Sequence, residues 1–417
     1  MGNSEICASA GEASSCVDRP IQFSTSLCEL SDERAAAIAW SYIVESADIR
    51  GAAAIGRFGF EGALDRLRAK DTDLEEIAGK SYSVWLRKYE ELLRANGGSW
   101  RQCAESRCRS LEKLGARVFL PSDDLWPAMI NDLGDRAPYM LWVRGEFDMC
   151  QEILGARARP TISIVGSRAA SNRGVRTAVD FSYELAQNFT IVSGGAFGID
   201  AAAHKGALLA KGSTVIFSAA GVDRVYPLSH RELYEKIWKG GGLVISEFPL
   251  GSAPHAHRFL LRNRLIAAFS RATIVIEAPV RSGALNTARA ALEIGRPVGA
   301  VPGSIDSLNS AGCHELIRNG GTLISSVAHV RELAAPIGAQ LEMPIGGEQD
   351  FFSPPASSIG ADGQKIFDAV PKMQPASIEK ISLSAGVTVE EARAGLGKLL
   401  LLGMVTQRHG KWVKSTN

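Results

Sequence analysis

No run in this 417-residue sequence approaches the roughly 18 consecutive apolar residues that a membrane span needs, so contact with a membrane is not expected. The opening stretch MGNSEICASAGEASSC has neither a basic start nor an apolar segment, which predicts no secretory leader, and it lacks the Ser or Thr of a myristoylation site. Cysteine is sparse. The seven cysteines (Cys7, Cys16, Cys28, Cys103, Cys108, Cys150 and Cys313) form no CxxC pair, and their odd number and scatter fit neither a disulfide framework nor a zinc site. A reducing, cytoplasmic setting is expected, with no bound metal. Also missing are a GxGxxG turn followed by an acidic strand end, a GxxxxGK[ST] loop, an HExxH pair, a GxSxG elbow and paired carboxylates at strand ends. These absences argue against a dinucleotide cofactor, P-loop ATP hydrolysis and the common hydrolase chemistries. The expectation is a binding protein with no cofactor and no catalytic residue.

What is present is uneven. Net charge is only +1, but Lys and Arg number 20 against 25 Asp and Glu over residues 1–159, 18 against 12 over 160–335, and 8 against 8 over 336–417. Positive charge concentrated in the middle third suits a segment that meets an anionic polymer.

Residues 1–27 lack periodicity and read as a disordered tail. Residues 28–116 carry helical stretches such as ERAAAIAWSYIVE and SVWLRKYEELLRA separated by Gly-containing breaks, so a small helical domain is expected. Its IRGAAAIGRFG segment is similar to a SAM or helix-hairpin-helix turn, although the net acidity of the region suits packing or protein contact better than DNA. Residues 117–335 begin with a strand, loop and strand lead-in up to Gly145. Short β-branched runs then alternate with helical stretches: TISIVG, TIVSGG, TVIFSAAG, GLVISEF, ATIVIEA, PVGAVPG and GTLISS. That alternation specifies βαβ units and an α/β fold with a doubly wound parallel sheet. Residues 336–358 read as a Pro-, Gly- and Ser-rich linker, and 359–417 as three helices and a hairpin around His409-Gly410, a winged-helix-like domain.

In a parallel sheet, ligands sit beyond the carboxyl ends of the strands, where Gly-rich turns and helix N-termini present N–H groups to an anion. Four such turns are legible: Gly166-Ser167-Arg168, Ser193-Gly194-Gly195, Ser282-Gly283 and Pro302-Gly303. The segment HAHRFLLRNR adds Arg258, Phe259, Arg262, Asn263 and Arg264. On a helix, Phe259, Arg262 and Asn263 share a face, whereas Arg262 and Arg264 cannot. An Arg fork grips phosphate and a neighbouring Phe can stack on a base, a combination suited to single strands. A scaffold reading instead places Phe259 in the core and pairs the arginines with Glu247 and Glu277. His204 reads as a packed residue, Asp200 as a cap, and His255 with His257 as half of a metal site that no neighbour completes.

These blocks, in order VGSRAASNRG, SGGAFGIDAAAHKGAL, GVDRVYPLSHRELYEKI, ISEFPLGSAP, FLLRNRLIAAFS, SGALNTARAALEIGRPVGAVPG and GCHELI, resemble the DNA-processing protein A (DprA/Smf) family over about residues 117–330. The resemblance implies a Rossmann-like core that binds single-stranded DNA, forms a homodimer and loads the recombinase RecA during natural transformation and homologous recombination. It further implies a phosphate pocket at Ser167, Arg168, Ser193, Gly194 and Gly195, and a DNA-binding helix at Arg262, Asn263 and Arg264. The chain departs from the family pattern at Phe197, where many relatives carry Arg, over Ala253 to His257, where they carry a Lys, and at Leu260, Asn286 and His314. The competing expectation is a nucleotide-binding or nucleotide-hydrolysing enzyme resembling the phosphoribohydrolases, whose PGGxGT loop RSGALNTARAALE does not reproduce.

Overall fold

A computed structural model describes residues 30–335, 360–371, 375–401, 404–408 and 410–414. The chain divides into two compact units, Met1–Ala339 and Gln340–Asn417. The expected N-terminal tail and the expected linker lie outside the described residues.

In the first unit, five helices come first: α1 Asp32–Ile43, α2 Ile49–Ala69, α3 Thr72–Ala78, α4 Tyr82–Ala95 and α5 Trp100–Leu114. Ser31, Asp48, Asp71 and Ser99 each accept a backbone N–H in the first turn of α1, α2, α3 and α5, satisfying donors that a helix start leaves free. The strands are β1 Ala116–Phe119, β2 Leu141–Arg144, β3 Thr161–Val165, β4 Thr190–Gly194, β5 Thr214–Phe217, β6 Gly242–Ser246, β7 Ala272–Val275, β8 Val298–Ala300 and β9 Thr322–Leu323. Between and after them run α6 Phe147–Leu154, α7 Asn172–Leu185, α8 Ile199–Leu209, α9 Arg231–Lys236, α10 Ala256–Ala268, α11 Gly283–Glu293, α12 Ala311–Arg318 and α13 Val327–Leu333.

The nine strands form one sheet in the order β1-β2-β6-β5-β4-β3-β7-β8-β9. From β6 to β9 every pairing is parallel, as the alternation of strand and helix predicts. The lead-in differs from a purely parallel plan: β2 pairs antiparallel with both β1 and β6 and extends the sheet. Alternate residues serve opposite faces. Val215 and Phe217 pack with α10 and α11 residues such as Leu265 and Leu285, while Ile162, Ile164 and Ile191 pack with Ala178 of α7 and Ala203 of α8.

Trp40 of α1, Trp142 of β2, Ile216 of β5 and Val244 of β6 belong to one buried cluster, so α1–α5 and the sheet share a core. Residue 116 marks a change of secondary structure inside this unit. Polar ties reinforce the join, with the Arg34 guanidinium donating to both Asp123 carboxylate oxygens at 2.9 and 2.7 Å and Tyr139 Oη donating to the Val44 carbonyl at 2.7 Å.

The second unit contains α14 Gly360–Ala369, α15 Ile378–Ala385, α16 Val389–Leu401 and a hairpin of β10 Val405–Arg408 with β11 Lys411–Lys414. Ile366, Ile381, Leu396 and Val405 form its core. Thr388 Oγ1 accepts the Glu391 N–H at 3.3 Å while the Glu391 carboxylate accepts the Thr388 N–H at 2.8 Å, a reciprocal cap on α16.

Candidate nucleic-acid interface

The order of strands reverses between β3 and β7: from β3 the chain builds outward through β4, β5 and β6, then crosses back to add β7, β8 and β9 on the other side. Crossover helices leave a crevice at such a reversal. Here it is a cleft of about 700 Å³. Gly166, Ser167 and Arg168 enter from the end of β3, and Arg281, Ser282 and Gly283 from the loop after β7. Ala196 and Asp200 enter from the β4–α8 junction, and Phe259, Arg262 and Asn263 from α10. The first turns of α8, α10 and α11 thus meet at one opening, where their N–H groups and dipoles favour an anion.

Backbone geometry makes the cleft possible. Ser167 N–H donates to the Glu277 carbonyl at 2.7 Å, and the Ser171 N–H donates to the Glu277 carboxylate at 2.9 Å, fixing the Gly166 loop against the end of β7. Gly198 has φ +76°, and a Cβ there would strike the Ser167 carbonyl, so the turns after β3 and β4 nest only with glycine at 198. A Cβ on Gly194 would sit 2.5 Å from Asp200 Oδ2 and 2.6 Å from Arg262 Nη1, leaving no room for a side chain.

The floor is ionic and buried. The Arg262 guanidinium, only 4% exposed, donates to the Phe217 carbonyl and, at 3.2 Å, to Asn263 Oδ1. Burial lowers its pKa and raises that of Asp200, each opposed by the partner charge; the guanidinium stays protonated and presents a fixed cation. Beneath it lies His204, fully buried. Burial brings its pKa down from 6.5 to about 4. The ring donates from Nε2 to the Gly194 carbonyl at 2.8 Å, and its Nδ1 lies 2.7 Å from the oxygen of the Thr214 hydroxyl, which itself donates to the Ile191 carbonyl at 2.8 Å; these contacts pin the end of β4. Asn263 Nδ2 donates to the Gly283 carbonyl at 3.1 Å and to Asn286 Oδ1 at 3.3 Å, tying α10 to the first turn of α11. Asn286, one of the departures from the family pattern, thereby finds its partner.

The rim is aromatic and cationic. Phe259 is half-buried, with the exposed Arg168 guanidinium over its ring at 5.1 Å from the centre and the Tyr226 ring centre 5.3 Å away. This is neither a core position nor a free one. The ring is braced in place while part of it faces the cleft.

Other expected residues lie elsewhere. Ser193 is buried, its hydroxyl donating to the Ile164 carbonyl at 2.6 Å, so it supports the floor without lining it. Gly195 lines a small adjoining recess with Tyr226, Phe259 and Arg262. Pro302-Gly303 does not line the cleft. Arg258 turns away: its Nη2 meets Glu45 at 2.7 Å and its guanidinium lies 4.7 Å from the Phe248 ring centre, while His257 also faces Glu45 at 3.4 Å. Burial raises the Glu45 pKa, but hydrogen bonds and charge from Arg258 and His257 outweigh it and hold the carboxyl below its ordinary range. Arg264 is not in the cleft. It forms a buried two-pronged pair with Glu247, 2.7 Å on each prong, with the side chains 5% and 0% exposed. For Arg264 the scaffold reading describes the geometry, because a residue two positions from Arg262 on a helix faces a different side.

Tyr226, Arg281 and Thr287 line the cleft without having been singled out from the sequence. Arg281 directly precedes Ser282-Gly283, so a cation next to a Gly turn was its available signal; Tyr226 enters from the loop after β5 and gave none.

The family model described as DNA recombination-mediator protein A matches residues 117–335. A Mycobacterium tuberculosis protein carrying the DprA name is 36% identical over 313 residues, 72% of this chain and 78% of that one. The Smf protein of Escherichia coli is 30% identical over 347 residues, 83% and 89% of the two chains. The crystal structure of DprA from Streptococcus pneumoniae aligns with a TM-score of 0.59 at 30% identity, covering 73% of this chain and 98% of that one. The family model, the sequence identities and the structural superposition agree, and the chain belongs to the DNA recombination-mediator protein A family.

Proposed function

We propose that this chain binds single-stranded DNA in the cleft at the β3/β7 reversal and delivers it to the recombinase RecA, acting as a homodimer in the cytoplasm and breaking no covalent bond. The observation that carries the reading is the contact of Phe259 with both Arg168 and Tyr226 in the cleft that the buried Arg262 cation also lines. Phosphate is met by Arg168, Ser167, Arg281 and the first turns of α10 and α11, while a base stacks on the open part of Phe259. A duplex hides its bases in its own stack and could not use the ring. Among the described residues no helix is long and apolar enough to cross a membrane.

A salt titration of binding to oligo-dT, with duplex and mononucleotide controls, tests the reading. Oligo-dT is expected to bind best, with affinity falling as salt rises, and Arg168→Ala should lower the salt slope by about one because one phosphate contact is lost. Tight binding of mononucleotide with no gain from a longer strand would favour the nucleotide-enzyme reading. Sedimentation at micromolar concentration tests the dimer, and a purely monomeric species would remove it.

A further inference from the structure

The turn after β4, Gly195-Ala196-Phe197-Gly198, carries an aromatic that the cleft does not use. Ala196 lines the cleft and Gly195 lines the adjoining recess with Tyr226 and Phe259; Phe197 follows them in the same turn and lines neither. It is 49% exposed, so much of the ring is open to solvent. The exposure does not come from looseness. The Phe197 ring meets His230 edge-on, 4.7 Å between centres at 70°, and His230 Nδ1 donates to the Gly195 carbonyl at 3.1 Å, bracing the ring against its own turn. Gly198, with φ +76° and no room for a Cβ beside Ser167, locks the other end of the turn. Tyr226, 45% exposed, stands on the same rim and touches Phe259.

From this row of fixed, half-open rings we propose that Phe197 is a second nucleobase platform: a single strand leaving the cleft past Tyr226 lays a further base on Phe197, irrespective of base identity. The inference rests on the reading of the cleft as a single-strand site and extends the strand's path along the ends of β4 and β5. Stacking is tolerant of sequence because every base offers a π-face. It also differs from phosphate contact in one measurable way. A stack releases no counterion, so it adds affinity without adding salt dependence.

The test measures binding of the full-length chain to oligo-dT of increasing length and to length-matched abasic deoxyribose-phosphate strands. Phe197→Ala should weaken binding to long oligo-dT by about five- to tenfold, the lower end of base stacking because the ring is exposed. The salt slope should match wild type, and binding to abasic strands and to the shortest bound oligo-dT should not change. Phe197→Leu, which keeps bulk without a π-face, should lose as much; Phe197→Trp should restore binding. Thermal unfolding of each variant separates a folding defect from a binding one. Equal losses on abasic strands, full binding by Phe197→Ala, or full binding by Phe197→Leu would each overturn the platform. Failure of the cleft reading looks different: wild type would not bind oligo-dT, or Arg168→Ala would bind as wild type does.

Discussion

Replacing Arg264 by Met keeps the length of the side chain and removes its charge, which asks whether the second arginine of the Arg-Asn-Arg run serves DNA or the scaffold. In the folded chain its guanidinium makes four hydrogen bonds: two to the Glu247 carboxylate at 2.7 Å, one to the Arg136 carbonyl and one to the Leu261 carbonyl, each at 2.9 Å. Glu247 is 1% exposed, so the substitution strands a carboxylate in the interior. Breaking a buried pair in this way costs about 3–5 kcal/mol. With each kcal/mol moving the midpoint by about 2 °C in a unit this large, unfolding of the first unit should begin roughly 6–10 °C earlier. The loss should persist in high salt, since a dry pair is poorly screened. Calorimetry reads the shift, and oligo-dT binding measured well below the variant's midpoint should remain close to wild type. The double variant Arg264→Met with Glu247→Leu removes both charges and should recover most of the stability. A melting curve that overlays wild type together with a large loss of binding would refute the reasoning, because it would make Arg264 a DNA contact.

Phe259→Ala should cost about 1–3 kcal/mol of oligo-dT binding through the lost base stack. Because the ring is only half-buried, stability should fall by less than the 3–5 kcal/mol typical of a core Phe; a large drop in melting temperature with intact binding would return it to the scaffold. His204 sets a pH dependence: its folded pKa, about 4, lies below the ordinary 6.5 expected on unfolding, so the unfolded chain takes up the extra proton. Its contribution is therefore complete above pH 6.5 and declines toward pH 4, by about 3 kcal/mol at roughly 1.4 kcal/mol per pH unit. His204→Gln retains a donor for Gly194 and should flatten that part of the melting-temperature profile; parallel profiles for wild type and variant would contradict the assignment.

Much of the architecture was written in local patterns. Each of the strands TISIV, TIVSG, TVIF, GLVIS, ATIV and VGA is a short β-branched or apolar run between helical periods, and helix starts carry Ser or Asp caps, so the α/β alternation can be read within windows of ten to twenty residues. The Gly-rich turns and the helical phase of Phe259, Arg262 and Asn263 were legible for the same reason, since turn chemistry and helical spacing are short-range properties. The sequence could not decide which cation faces an anion from outside and which one is already paired. Arg264 is neutralised from 17 residues away by Glu247, and Arg258 from 213 residues away by Glu45 in the loop between α1 and α2. Tyr226 reaches Phe259 only because the loop after β5 and the first turn of α10 meet in space. Periodicity and turn residues are properties of neighbours in the chain, so sequence alone determined the elements and the kind of site. Burial and charge pairing belong to neighbours in space, so only the tertiary structure decided which side chains are left to meet a strand.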